Sequence, residues 1–122
     1  MKVYQAGRES TLLADIRSGK KNVEIRLNRD KFAQYSPGDL VKIREDVYQE
    51  GTVVASYPDQ LTVRIEKVDD YPSFKEALDA VDFKNVFPRA GSLKDALEAC
   101  YRFYTPEDET KFGVLTIYIT LV

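Results

Sequence analysis

The predicted fold is built around the segment Ser18-Gly19-Lys20-Lys21-Asn22-Val23-Glu24-Ile25-Arg26. This segment is typical of a helix end, a glycine turn carrying two lysines, and then a strand. From Asn22 to about Asn28, apolar and polar residues alternate, and successive strand side chains point to opposite faces. One face therefore packs against a core, and the other presents the carboxylate of Glu24 beside the guanidinium of Arg26. With Lys20 and Lys21 in the preceding turn, this segment is the best candidate for a functional site.

Composition bounds what the chain can be. Its 122 residues suit one domain, spanning 1–122, and 43% hydrophobic with 31% charged residues suits a globular fold. A formal net charge of -2 provides no overall basic field, so nucleic-acid binding would need a local basic patch. The single cysteine, Cys100, excludes an internal disulfide.

The sequence contains no histidine, which restricts the available chemistry. The usual general base near neutral pH and the commonest metal ligand are both missing. We therefore expect no metal site and no cofactor, and an enzyme would have to use Lys, Tyr, Ser, Thr or carboxylates with shifted pKa values. No signal-peptide run and no transmembrane-length segment is present, so we expect a cytoplasmic protein without a membrane partner.

The first half of the chain predicts one helix and several strands. Residues 2 to 5 suit a short strand, and Glu9 to Ile16 a helix with Ser10 available as its cap. Pro37-Gly38 predicts a type II turn before a strand that begins at Leu40. The polar run from Glu45 to Gly51 predicts a loop. The next two β-rich runs, Thr52 to Ser56 and Leu61 to Val68, predict a hairpin whose turn is Tyr57-Pro58-Asp59-Gln60.

The second half predicts two helices and a closing strand. Ser73-Phe74-Lys75-Glu76 matches a capping box, and Ser92 begins a weaker one before an amphipathic helix that Pro106 closes. Phe83 to Pro88 suits a connector, and Gly113 to Val122 a final strand. Because strands and helices do not alternate regularly, the order argues against a doubly wound parallel sheet. The fold class is α+β, with a small mixed or antiparallel β-barrel and helices packed outside.

The chain resembles the ASCH domain family of the PUA-like superfamily. Gly19-x-Lys21-x-x-Glu24-x-Arg26 matches the family's GxKxxExR signature. The resemblance extends from about Leu12 to Val122, because other matching features follow in family order: Pro37-Gly38-Asp39, Tyr71-Pro72-Ser73-Phe74, Phe87-Pro88, Ser92, Tyr104 and Gly113-Val114-Leu115. Residues 45 to 62 are longer than in compact relatives. The resemblance implies a PUA-like barrel with a charged cleft around the signature.

Two functions follow from this resemblance. ASCH domains are proposed to bind RNA, and related PUA-like domains bind RNA or modified bases, so the first is a cleft for RNA or a modified nucleoside. In one branch, the acetylcytidine amidohydrolases, a lysine and a threonine of the motif act with a glutamate elsewhere. Lys21 falls on that lysine, but Glu24 stands at the threonine position. The alternative is a nucleoside amidohydrolase or ribonuclease using Lys21 and Glu24.

The candidate ligand-binding residues also have structural explanations. Solvated surface ion pairing would explain Lys21, Glu24 and Arg26, and complementing a helix dipole would explain both Lys20 and Lys21. In the functional interpretation, Lys21 and Arg26 hold an anionic group, while Glu24 accepts hydrogen bonds from a base or sugar. Tyr101 and Tyr104 lie one helical turn apart and could stack on bases, although Tyr104 falls on the apolar stripe.

Overall fold

The computed structural model describes residues 1–122 as one five-stranded sheet with helices against it. The strands are β1 (Val3–Glu9), β2 (Val23–Leu27), β3 (Leu40–Gln49), β4 (Thr52–Tyr71) and β5 (Val114–Leu121). The helices are α1 (Ser10–Arg17), α2 (Phe74–Val81), α3 (Phe83–Val86), α4 (Leu93–Phe103) and α5 (Pro106–Phe112), with a 3-10 turn at Asp30–Gln34. None of these helices is long and apolar enough to cross a membrane.

The sheet is mixed and open. Its order is β1-β3-β4-β5-β2, with β1 parallel to β3 and every other pair antiparallel. The sheet curls enough for its two edges to meet through side chains, because Arg8 on β1 contacts Glu24 on β2 at 2.6 Å. The α+β prediction is confirmed. The sheet is not a closed barrel, since no ladder of backbone hydrogen bonds joins the edge strands β1 and β2.

The two faces of the sheet cover two separate apolar cores. Inside the curve, side chains from β1, β3, β4 and β5 pack with α1 and Tyr35. On the outer face, Val23, Ile25 and Leu27 pack with α2, α3 and α4. Since β2 alternates, Glu24 and Arg26 point to the inner side, opposite Ile117 and Leu115 in the antiparallel register. The first core thus forms a wall beside the charged residues of β2.

The predicted loop at Glu45–Gly51 is wrong, and so is the hairpin turn after it. β3 continues to Gln49, and the chain reverses at Glu50-Gly51, where both residues have positive φ. β4 is continuous from Thr52 to Tyr71. The predicted turn residues Tyr57–Gln60 form a bulge in β4. Ile43 pairs with Leu61 and Glu45 with Tyr57, so Arg44 alone lies opposite residues 58–60. Pro58 has no N–H for the ladder, so it belongs at such a bulge.

Several helix boundaries also differ from the prediction. β1 runs to Glu9, whose carboxylate caps α1 by accepting from Thr11 N at 2.8 Å, so Ser10 is not the cap. Ser73 and Ser92 do cap α2 and α4. Pro106 was predicted to close α4, and it is also the first residue of a further helix, α5, which Thr105 caps. The predicted connector at Phe83 to Pro88 contains α3.

Candidate functional site

Glu24 lies at the centre of a buried group of charges. Its Oε1 accepts from Arg8 Nε at 2.8 Å and Nη2 at 2.6 Å. Its Oε2 lies 3.3 Å from Arg26 Nη2 and 3.6 Å from Lys21 Nζ. We call Arg8, Lys21, Glu24 and Arg26 the Glu24 cluster. It joins three cations to one carboxylate, and so has an excess of positive charge.

Backbone carbonyls hold the cations of the Glu24 cluster in place. Arg8 Nη1 donates to its neighbour's carbonyl, Gly7 O, and Arg26 Nη1 to Ile25 O, both at 2.7 Å. Lys21 Nζ donates to Val86 O at 2.7 Å and, over a longer 3.3 Å, to Val23 O. The side chain of Lys21 is only 4% exposed, so α3 and the start of β2 enclose it. These carbonyls fix the side chains before any ligand arrives.

Burial and neighbouring charge shift the pKa values of the cluster. Burial would raise the pKa of Glu24, but Arg8, Arg26 and Lys21 hold it far below the ordinary range, so this carboxylate is ionised. Burial lowers the pKa of Lys21 to about 8, and the attraction of Glu24 only partly offsets that effect. Burial would lower the pKa of Arg26, yet Glu24 raises it above its usual value.

The Glu24 cluster forms part of the wall of a cleft of about 550 Å³. Its other walls come from the end of β1, from α1, from the β3–β4 hairpin and from α4. The lining residues are Gly7, Arg8, Glu9, Leu12, Lys21, Glu24, Ile25, Arg26, Tyr48, Phe87, Ala99, Cys100, Phe103 and Tyr104. Glu9 adds a second carboxylate, which is occupied in capping α1. The cleft therefore combines a positive patch with apolar and aromatic walls.

The structure brings four of the six predicted binding residues to this cleft. Lys21, Glu24, Arg26 and Tyr104 line it, and Tyr104 also stacks on Phe74 with ring centroids 5.4 Å apart. The two others lie outside the lining. Lys20 is exposed in the turn, and the hydroxyl of Tyr101 donates to Glu109 at 2.7 Å. Tyr101 thus has a structural partner at α5.

The lining residues that the sequence did not predict include Arg8, Tyr48 and Phe103. Arg8 was missed because the predicted first strand stopped at residue 5, short of its position. Tyr48 fell in the predicted loop. Phe103 ends an amphipathic helix and lies off its apolar stripe. An aromatic side chain at such a position is expected to be exposed, and this was the one signal in the sequence that could have identified it. The chain has no group of three Cys, Asp or Glu side chains that could hold a metal ion.

The lowered pKa of Lys21 predicts a pH-dependent stability. Between the folded pKa of about 8 and the ordinary 10.5, the unfolded chain binds more protons at this group, so the Lys21 contribution to stability must rise with pH. Deprotonation of Lys21 alone contributes a gain of roughly 1–2 kcal/mol between about pH 7.5 and about pH 9.5. Cys100 contributes an opposing loss in this window, because burial raises the pKa of its thiol to about 12 in the folded chain. Urea unfolding of wild type and Lys21→Met isolates the Lys21 contribution, since Cys100 and the tyrosines remain in both proteins. The same pH dependence in the two proteins would contradict the assignment.

Comparisons with known proteins identify the family. The ASCH domain model matches residues 11–122. The chain is similar to the crystal structure of the hypothetical protein PH0355, with 29% identity, a TM-score of 0.82, and coverage of 98% of this chain and 99% of that one. It is also similar to the solution structure of PF0455 from Pyrococcus furiosus, with 31% identity, a TM-score of 0.78 and coverage of 98% and 97%.

A more distant similarity supports the fold alone. The ASCH domain from Lactobacillus crispatus has 13% identity and a TM-score of 0.62, over 97% of this chain and 79% of that one. No curated protein matches the chain. The family match covers nearly the whole sequence, and the open, curled sheet with helices on its outer face agrees with it. The chain belongs to the ASCH domain family.

Proposed function

We propose that this ASCH domain binds RNA or a modified nucleoside in the cleft beside the Glu24 cluster. The observation that carries the proposal is a buried excess of positive charge on the wall of an open cleft, in a chain of net charge -2. A negatively charged or carbonyl-rich ligand would satisfy that excess. The proposed RNA binding of the family favours a nucleotide over other anions.

Contact distances divide the roles within the Glu24 cluster. Arg8 holds Oε1 of Glu24 with two short hydrogen bonds, of 2.8 and 2.6 Å, so it positions the carboxylate. The contacts of Arg26 and Lys21 with Oε2 are longer, 3.3 and 3.6 Å. These longer contacts leave Oε2 able to accept from a base or sugar. Arg26 and Lys21, held by backbone carbonyls, present fixed positive charge to a phosphate or carbonyl oxygen.

The dimensions of the cleft favour a small or single-stranded ligand. Its volume of about 550 Å³ falls within the range of small-molecule sites. Tight duplex binding needs many phosphate contacts, and an acidic chain with a local group of three cations cannot provide them. A free nucleotide, or the unpaired end of an RNA, therefore suits the site better than a double helix.

Hydrolysis remains a second candidate because of Lys21. A lysine whose pKa is lowered to about 8 can act as a general base near neutral pH. Glu24 does raise that pKa, as expected from its charge, but burial outweighs it. Against catalysis, no serine or threonine lines the cleft, and a carboxylate stands where the amidohydrolases have threonine. Binding without turnover is therefore the better-supported function.

The pH dependence of binding and turnover separates the two functions. If the Lys21 ammonium holds the ligand, the Kd for adenosine 5′-monophosphate should be constant between about pH 7 and about pH 8 and should then weaken about tenfold per pH unit. Calorimetric titration measures this, since neither adenine nor its phosphate titrates there. If neutral Lys21 is a base, hydrolysis of acetylcytidine or single-stranded RNA should instead rise to a plateau above pH 8. A Kd that is unchanged up to about pH 9.5 contradicts the role of the ammonium.

A further inference from the structure

Two large aromatic side chains lie exposed at the cleft, on separate elements. Phe103 is the last residue of α4 and is 80% exposed. Tyr48 is near the tip of the β3–β4 hairpin and is 50% exposed. Both line the same cleft as the Glu24 cluster. The hairpin and α4 are far apart in sequence, so no local feature of the chain explains why both present a ring here.

Neither ring has a packing role within the folded chain. Phe103 and Tyr48 belong to neither apolar core and form none of the aromatic pairs, whereas Tyr104 next to Phe103 stacks on Phe74. A phenylalanine side chain that stays in water forgoes the stabilisation that burial would provide. Exposed apolar groups that border a polar site are typical of binding surfaces.

We propose that Tyr48 and Phe103 stack on the nucleobase of the ligand while the Glu24 cluster holds its anionic or carbonyl groups. This inference rests on the proposed function and specifies its ligand class: an unpaired base, either in a free nucleotide or at a single-stranded end. Every base has a flat π-face, so stacking recognises bases with little sequence preference. Bases inside a duplex have their faces covered and cannot enter such a site.

Charge and shape both favour this occupant. The cations lie on the wall from β1, the turn before β2, and β2 itself, and the exposed rings come from the hairpin and from α4. A nucleotide is divided in the same way as the cleft: its flat base would face the exposed rings, and its phosphate would face the cations. A purely anionic ligand would leave both rings in water, and a purely apolar ligand would leave the positive charge uncompensated.

Matched variants and ligands test the inference. We would measure the Kd of the four nucleoside 5′-monophosphates and of ribose 5-phosphate, which has no base, with Phe103→Ala and Tyr48→Ala. Stacking predicts a loss of roughly 5- to 150-fold for the nucleotides, with ribose 5-phosphate unchanged. Tyr48→Phe should retain most of the affinity. Tyr57→Ala is the control, because Tyr57 is 51% exposed on the same hairpin but lies outside the cleft lining.

The possible failures are distinguishable. If wild type binds the nucleotides and both alanine variants bind them equally well, the aromatic inference is wrong and the proposed function stands. An equal loss for nucleotides and ribose 5-phosphate would also overturn stacking, since the rings would then act on the cleft as a whole. If wild type binds neither the nucleotides nor a tetraadenylate RNA, both the inference and the proposed function are wrong.

Discussion

Glu24→Gln is expected to lower the free energy of unfolding by about 3–5 kcal/mol, the cost of removing one partner from a buried ion pair. Glutamine has nearly the same shape, so the change removes charge and little packing. Arg8 and Arg26 would then face a neutral amide, and the pKa of Lys21, which Glu24 raises, would fall below about 8. The side chain of Glu24 is only 6% exposed, so water cannot replace the lost carboxylate.

Urea unfolding at neutral pH measures this loss, and Glu66→Gln is its matched control. Glu66 also lies on a strand two residues from an arginine, with Arg64 Nη1 at 3.9 Å, but its side chain is 46% exposed. Its replacement should change stability by less than about 0.5 kcal/mol. A loss below about 1 kcal/mol for Glu24→Gln would show that the cations do not depend on Glu24.

The same carboxylate predicts the acid behaviour of the protein. The pKa of Glu24 is lowered on folding, so its stabilisation is fully present above the ordinary value of 4.5 and is lost as pH falls toward the folded pKa. Wild type and Glu24→Gln should therefore differ most near neutral pH and should converge in acid. Urea unfolding of wild type and Glu24→Gln below pH 4 should show a smaller difference in the free energy of unfolding than at neutral pH.

Lys21→Met is expected to weaken nucleotide binding by roughly 10- to 150-fold, the value of a hydrogen bond to a charged group. Methionine is unbranched and one atom shorter than lysine, and it removes the ammonium. The free energy of unfolding should fall less than in Glu24→Gln. Glu24 retains its ion pairs with Arg8 and Arg26, and the cost of burying the Lys21 ammonium disappears. Loss of the hydrogen bond from Lys21 to the carbonyl of Val86 partly offsets this stabilisation.

Calorimetric titration of the same nucleotides measures the effect of Lys21→Met. Lys84→Met is the control, because Lys84 is an exposed lysine on α3 outside the cleft lining. Its Kd should stay within about twofold of wild type, as for a surface substitution. If Lys21→Met folds and binds as tightly as wild type, Lys21 contributes only to the structure and the cleft does not use its charge.

Local patterns in the sequence predicted most of the elements that build the site. The alternation of β2 placed Glu24 and Arg26 on one face, and the capping signals of Ser73 and Ser92 identified the starts of α2 and α4. These features depend on neighbours within a few residues. The third cation of the cluster, Arg8, depends on the curling of the whole sheet, which brings the edge strands β1 and β2 together. No short pattern encodes that contact.

The hairpin shows how two local signals can compete. Pro58-Asp59 is a stronger turn signal than Glu50-Gly51, so the turn was predicted eight residues too late. In the fold, Glu50 and Gly51 both adopt positive φ and close the hairpin, while Pro58 lies in the bulge opposite Arg44. Strand pairing over the length of β3 outweighs the preference of Pro58 for a turn. Because residues 45–51 were predicted as a loop, Tyr48, which lies on β3 beside the cleft, was not predicted as a site residue.

Amide chemical shifts recorded on addition of a tetraadenylate RNA would locate the binding site on the chain. If the cleft beside the Glu24 cluster is the binding site, the largest saturable shifts will fall on amides along it, such as Gly7, Ile25 and Cys100. The exposed side of α2 will not respond. Shifts centred elsewhere on the chain, or no saturable shift at millimolar RNA, would contradict the assignment of this cleft as the nucleotide site.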